Sequence, residues 1–331
     1  MNKGYGIDQQ TLKAMAGNLK DSVVELTQCG EHLSRQAMLV SLSLQLSGLK
    51  RQLSTSTGRA KLLQTAGRTP FGLPHSVHLT SSVTKKRFAG RPVMVLNAQP
   101  GPQPVVLALY GGAYVLAPTK VHWQFYDRLA QTSGAQVWVP DYPHLPGATV
   151  DQALAYLHRL YAALYDQTPV SQITLLGDSA GGGLAASLTE ELVTQGLPVP
   201  GHLVLLSPWL DLHLTNPALP AYARRDVLLD QAGLQALGAK FAGGRSAVDY
   251  RVAPLRGPLN GMRDVQLFVG TKELMCLDTI EFANRLASED VPAQLVIGRG
   301  LYHAYPLYAT PEGQAALLAM AKTIKGEVKH D

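Results

Sequence analysis

The sequence predicts an α/β fold, a mostly parallel central sheet flanked by helices. Short aliphatic runs near 104–109, 173–176, 203–206, 264–270 and 294–297 alternate with segments long enough for helices. One of them, Ile173-Thr174-Leu175-Leu176, runs into Gly177-Asp178-Ser179-Ala180-Gly181-Gly182 and then into helix-forming Leu184-Ala185-Ala186-Ser187-Leu188. That order reads as strand, sharp turn, helix. The chain has 331 residues, 46% hydrophobic and only 16% charged. Such a chain can bury one large core and leave a modest second lobe.

Taken in order, residues 1–32 read as an extension with helical stretches, and 33–75 as helices ending in the turn Pro70-Phe71-Gly72-Leu73-Pro74. Strands are expected near 77–83, 92–97, 104–109 and 136–140, the first of them antiparallel. A helix over 150–166 carries Leu154, Leu157, Leu160, Tyr161 and Leu164 on one face. Residues 214–250 interrupt the sheet pattern with a polar, proline-containing start and a helical run over 230–241, which suggests an insertion between strands. Strand 264–270, a helix over 279–286, strand 294–297 and a helix from near Pro311 complete the chain.

The turn after Leu176 lifts the Ser179 hydroxyl out of the backbone at the carboxyl end of the sheet, which makes Ser179 a candidate nucleophile. A nucleophilic serine needs a base, an orienting acid and an oxyanion hole. In this strand–turn–helix setting the order is serine, acid, histidine, so His202, His213, His303 and His330 compete. His330 is penultimate, His202 opens a strand at the far end of the sheet, and His213 precedes any suitable acid. His303 follows the last strand through Gly298-Arg299-Gly300 and is the base expected. Glu273, in the loop leaving strand 264–270, is the acid expected. Asp278, one turn on, and Asp211, at the end of the preceding strand, are the alternatives. The oxyanion donors are placed on Gly111, Gly112 and Ala113, where paired glycines follow a strand, and on Ala180.

These segments together resemble the hormone-sensitive-lipase-like branch of the α/β-hydrolases, particularly its small bacterial carboxylesterases. The matching elements are Tyr110-Gly111-Gly112-Ala113-Tyr114, Pro140-Asp141-Tyr142, Gly177-Asp178-Ser179-Ala180-Gly181-Gly182, Ser207-Pro208-Trp209-Leu210-Asp211, Gly270-Thr271-Lys272-Glu273 and Gly300-Leu301-Tyr302-His303. They cover residues 90–328 well and 33–90 loosely. The resemblance implies a helical cap contributed by residues 1–75 and by the insertion at 214–250, over a catalytic domain at 76–331. It further implies a serine carboxylesterase acting on small, short-chain acyl esters through an acyl-enzyme, with no cofactor and no metal. An N-acyl or amide hydrolase on the same machinery is the alternative within enzymes. A non-catalytic ligand-binding member of the fold is the alternative outside them. One departure stands out: Tyr110 occupies the position at which the family has histidine, so the hydrogen bonds bracing this loop must differ.

Composition narrows the classes. No metal-ligand spacing or phosphate-cradling glycine loop occurs, and Cys29 and Cys276 give no disulfide framework. Residues 1–91 carry thirteen Lys/Arg against four Asp/Glu, with one cluster at Lys85-Lys86-Arg87. That excess is read as a solvated cap surface on helices, or as a contact with a membrane surface or acidic partner. No aromatic platform accompanies it, which speaks against nucleic acid. The polar start at 1–20 is not a secretory signal and no run is long enough to span a bilayer, so the cytoplasm is the default location. Homo-oligomerisation is left open.

Overall fold

The computed structural model describes residues 33–327 apart from 67 and 69. The helical stretches expected in 1–32, with Cys29 and His330, lie outside the described residues. Strands β1 (Val83–Phe88), β2 (Arg91–Leu96), β3 (Val105–Leu109), β4 (Gln136–Pro140), β5 (Ile173–Asp178), β6 (His202–Leu206), β7 (Asp264–Gly270) and β8 (Ala293–Gly298) form a single sheet. Its order is β1-β2-β4-β3-β5-β6-β7-β8. The β1/β2 and β2/β4 pairs are antiparallel and all others parallel, as expected. Strands β3 and β5 are buried along their whole length, which explains their unbroken aliphatic sequences: both faces are covered by helices.

The described helices are α1 (Arg35–Leu46), α2 (Leu49–Ser54), α3 (Ser56–Ala66), α4 (Lys120–Ser133), α5 (Val150–Tyr165), α6 (Ser179–Thr194), α7 (Leu219–Ala223), α8 (Gln231–Ala242), α9 (Cys276–Ser288) and α10 (Pro311–Ile324). Among the described residues no helix is long and apolar enough to cross a membrane. The segment expected to interrupt the sheet holds α7 and α8, with Asp230 capping α8 through a hydrogen bond from Gly233 N–H at 2.8 Å. Helix α2 packs on α8 so closely that a Cβ on Gly233 would lie 2.4 Å from the Leu53 carbonyl oxygen. The amino-terminal helices and the insertion therefore meet over the carboxyl edge of the sheet.

Three expectations need correction. The strand placed at 77–83 is loop, and β1 begins only at Val83. The reason is a buried carboxylate: Asp127 of α4 accepts the N–H groups of Thr80 (2.9 Å) and Ser81 (2.8 Å), diverting them from any strand ladder. The Lys85-Lys86-Arg87 cluster consequently lies on an edge strand, where charge discourages further strand pairing, and not on a helix. Helix α4 itself was not anticipated. Its start at Thr119 uses a capping box whose third residue is His122, in place of the usual Glu or Gln, and its interior is aromatic, so local signals are weak.

Asp127→Ala leaves two amides without their acceptor. It should lower unfolding free energy by about 2–4 kcal/mol in a denaturant titration, at roughly 1–2 kcal/mol per orphaned donor.

Candidate active site

Ser179 stands at the junction of β5 and α6, in the left-handed region with φ 51°. A non-glycine residue holds that conformation only where its surroundings enforce it. Here the enforcement is backbone on backbone: a Cβ on Gly181 would sit 1.9 Å from the Leu109 carbonyl oxygen. From the other side, Trp209 N–H donates to the Ser179 carbonyl at 2.9 Å. Strand ends β3 and β6 thus clamp the turn from both sides.

His303 lies beyond β8 and lines the same cavity as Ser179. Its Nδ1 is 2.6 Å from Glu273 Oε2. Facing a carboxylate, Nδ1 carries the proton and donates, which leaves the Nε2 lone pair available as a base. Nε2 is buried and has no hydrogen-bond partner among the described residues. Glu273, wholly buried, accepts through Oε1 from Ser207 Oγ (2.7 Å) and Gly270 N–H (2.6 Å). Ser207 Oγ in turn accepts Ala304 N–H at 2.9 Å.

The alternative acids are engaged elsewhere. Asp211 accepts from His213 N–H, Thr215 N–H and Thr215 Oγ, all within 3.0 Å, and so shapes its own loop. Asp278 is buried in the first turn of α9, where Asn216 Nδ2 donates to it at 3.2 Å; burial pushes its carboxyl up to about 6. Of the other histidines, His202 pairs with Asp264 at 2.9 Å at the amino end of the sheet, and His213 borders Asp211.

The loop 110–114 packs directly on the turn: a Cβ on Gly111 would come within 2.3 Å of Asp178 Oδ2 and 2.9 Å of Ser179 Cβ. The N–H groups of Gly112 and Ala113 have no acceptor among the described residues. Ala180, second residue of α6, belongs to the first turn, whose N–H groups lack intrahelical acceptors. Gly111, Gly112 and Ala113 line the same cavity as Ser179, and Ala180 follows Ser179 directly. The groups that brace the loop at Tyr110, where the resemblance leads one to expect histidine, are aromatic. Tyr142 Oη donates to the Tyr110 carbonyl at 2.6 Å, and the two rings stack at 4.6 Å. Tyr114 stacks on Phe241 of α8 at 3.9 Å. The Tyr110 hydroxyl is buried without a partner among the described residues.

Two site residues escaped the sequence reading. His122 of α4 lines the cavity, accepts Thr119 N–H at Nδ1 (3.1 Å) and sits 3.2 Å from Asp178 Oδ2 through Nε2. An N–H cannot accept, so Nδ1 is unprotonated and Nε2–H donates to Asp178. Asp226, in the insertion, is buried and accepts N–H groups from Leu228, Leu229 and Leu274, each within 2.9 Å. Leu274 follows Glu273 directly. Burial works to lower the His303 pKa, but the charge of Glu273, its hydrogen bond, and the charges of Asp226 and Asp178 outweigh it, and the net shift is upward from 6.5.

The cavity beside these groups has a volume of about 340 Å³. Its walls are aliphatic, with Leu53 and Leu62 from the amino-terminal helices and Leu229, Leu234 and Leu237 from the insertion. A polar floor under an apolar vault of this size suits a small molecule with one reactive polar group.

Residues 106–307 match the sequence model of a family described as alpha/beta hydrolase fold. The chain belongs to the α/β-hydrolase family. This α/β-hydrolase is 30% identical over 248 residues to an esterase of Acinetobacter venetianus, covering 73% of this chain and 82% of that one. It is 29% identical over 248 residues to a triacylglycerol lipase of Mycobacterium tuberculosis, covering 75% of this chain. It spans only 52% of that mycobacterial protein's length. Among solved structures, an esterase from the bacterial hormone-sensitive lipase family superposes with a TM-score of 0.75 at 23% identity, over 90% of this chain and 100% of that one. That likeness is one of fold.

Ser207→Ala removes a donor to Glu273 and the acceptor of Ala304 N–H. It should destabilise the α/β-hydrolase by about 1–3 kcal/mol, read as a lower denaturation midpoint.

Proposed function

We propose that the protein is a serine carboxylesterase that hydrolyses small, short-chain acyl esters. The observation that carries this reading is the buried Glu273–His303 pair, whose Nε2 is left unpartnered in the cavity that Ser179 shares. In the proposed cycle, His303 Nε2 takes the Ser179 hydroxyl proton as Oγ bonds to the ester carbonyl carbon. The resulting oxyanion is held by the N–H groups of Gly112, Ala113 and Ala180, with Gly111 supplying the close approach. Collapse breaks the carbon–oxygen bond to the alcohol, which leaves with the proton from His303. Water then attacks the acyl-enzyme by the same route in reverse, releasing the acid and restoring Ser179.

The relatives named esterase and triacylglycerol lipase support ester chemistry. The modest cavity supports a short acyl group. A series of p-nitrophenyl esters of increasing chain length tests both points: activity should peak at short chains, and inactivity across the series would sink the proposal. Ser179→Ala should fold normally and retain less than about 1% of activity. Glu273→Gln should lower kcat by roughly 10²–10⁴, and Asp278→Asn by less than about tenfold. The opposite ranking would transfer the acid role to Asp278.

The base must be neutral to act, so the upward shift of His303 places the acid limb of kcat/KM above pH 6.5. Asp226→Asn removes a charge that favours imidazolium. The pKa then falls, and the limb should move to lower pH in a pH–rate profile.

A further inference from the structure

Helix α1 is apolar on two opposite faces. Ala37, Val40 and Leu44 turn inward against the core. On the other side Met38, Leu39, Leu42 and Leu46 are 51%, 66%, 51% and 75% exposed. At about 100° per residue these four fall within roughly a third of the helix circumference, together with exposed Arg35. The helix is anchored from beneath: Ser34 donates to both Glu312 oxygens of α10, from N–H and Oγ, each at 2.8 Å. The outer row is therefore held in place while its side chains face outward. Isolated apolar surface side chains are ordinary, but one methionine and three leucines in one row on a fixed helix are an exposed patch of the kind that marks a contact surface.

Charge identifies what the row suits. From residue 32 to residue 126 the chain has eleven Lys/Arg and no Asp or Glu. Along the amino-terminal helices, the cations Arg35 of α1, Arg51 of α2 and Lys61 of α3, with Arg68 beyond α3, are exposed and form no ion pair among the described residues. Aliphatic side chains on a stretch that carries exposed cations and no carboxylate match a phase that is anionic at its surface and hydrocarbon beneath. Helix α1 also reaches the cavity, which Leu44 and, just past the helix end, Ser47 line.

We propose that the outer face of α1 docks the protein on an anionic phospholipid bilayer, with Met38, Leu39, Leu42 and Leu46 entering the acyl boundary and the basic residues of α1–α3 facing the headgroups. Docked in this way, the cavity stands beside the lipid phase in which apolar esters concentrate. The docking itself does not depend on the esterase reading.

The test is flotation of the full-length protein with phosphatidylglycerol vesicles and with phosphatidylcholine vesicles. Binding to phosphatidylglycerol is expected, weakening with added salt as surface charge is screened. Replacing Met38, Leu39, Leu42 and Leu46 together by Gln should reduce it by about tenfold or more. Arg35→Glu with Arg51→Glu and Lys61→Glu should abolish the preference for phosphatidylglycerol. Unchanged circular dichroism and thermal midpoint verify that both variants are folded. Failure of the full-length protein to float, or equal flotation of the glutamine variant, overturns the proposal. So does a dimer that the glutamine variant disperses without vesicle binding, which would assign the face to a second copy. Flotation gained only after deletion of residues 1–32 would assign it to the chain's own amino-terminal segment, and likewise overturns it.

Discussion

A carboxylate without solvent access must have its lone pairs answered from the protein, and Glu273 collects its donors from three separate strand ends. Gly270 N–H comes from the last residue of β7, Ser207 Oγ from just beyond β6, and His303 Nδ1 from beyond β8. Ser207 also receives Ala304 N–H, which closes the circuit between the β6 and β8 loops. A slip in the register of any of these strands would orphan a buried charge. The carboxyl edge of the sheet is therefore specified jointly by hydrophobic packing along the strands and by this one acceptor at their ends.

The second constraint is steric. The turn at Ser179 exists in its strained form because the β3 end and the β6 loop approach it as bare backbone. Side chains are excluded at Gly181 and Gly111 by contacts of 1.9 and 2.3 Å to a hypothetical Cβ. With Gly111 packed on Asp178, the loop 110–114 cannot move independently of Ser179. Aromatic groups then hold the loop from outside: Tyr142 fixes the Tyr110 carbonyl, and Tyr114 ties the loop to Phe241 in the insertion. A phenol donating to a backbone carbonyl and a stacked ring thus brace the loop around Tyr110. The backbone N–H groups of Gly112 and Ala113 have no acceptor among the described residues in this arrangement.

Much of this was readable before the coordinates because it is local. The Ser179 turn is encoded within a dozen residues by an aliphatic run, the glycines and a helix-forming segment. His303 and Glu273 follow from their place after recognisable strands. What escaped is nonlocal. His122 meets Asp178 across 56 residues, and Asp226 meets Leu274 across 48. Each sits in a segment whose own pattern was weak, an aromatic helix in one case and an irregular insertion in the other. The misplaced first strand failed for the same reason. Val77 to Ser82 has adequate strand composition, but a carboxylate on α4 claimed its N–H groups.

The electrostatics of His303 show why those nonlocal carboxylates matter. Burial alone would depress the imidazole pKa, and a weaker base would serve the proposed proton transfer from Ser179 less well. Glu273 alone supplies orientation and one compensating charge. Asp226 and Asp178 add to it, and the balance ends above the ordinary histidine value. Each of these carboxylates also has donors of its own: Asp226 accepts three backbone N–H groups, Asp178 accepts from His122, and Glu273 accepts two donors besides the imidazole. In the proposed cycle His303 must gain and lose a proton, and the carboxylate of Asp226 in the insertion joins Glu273 in raising its pKa.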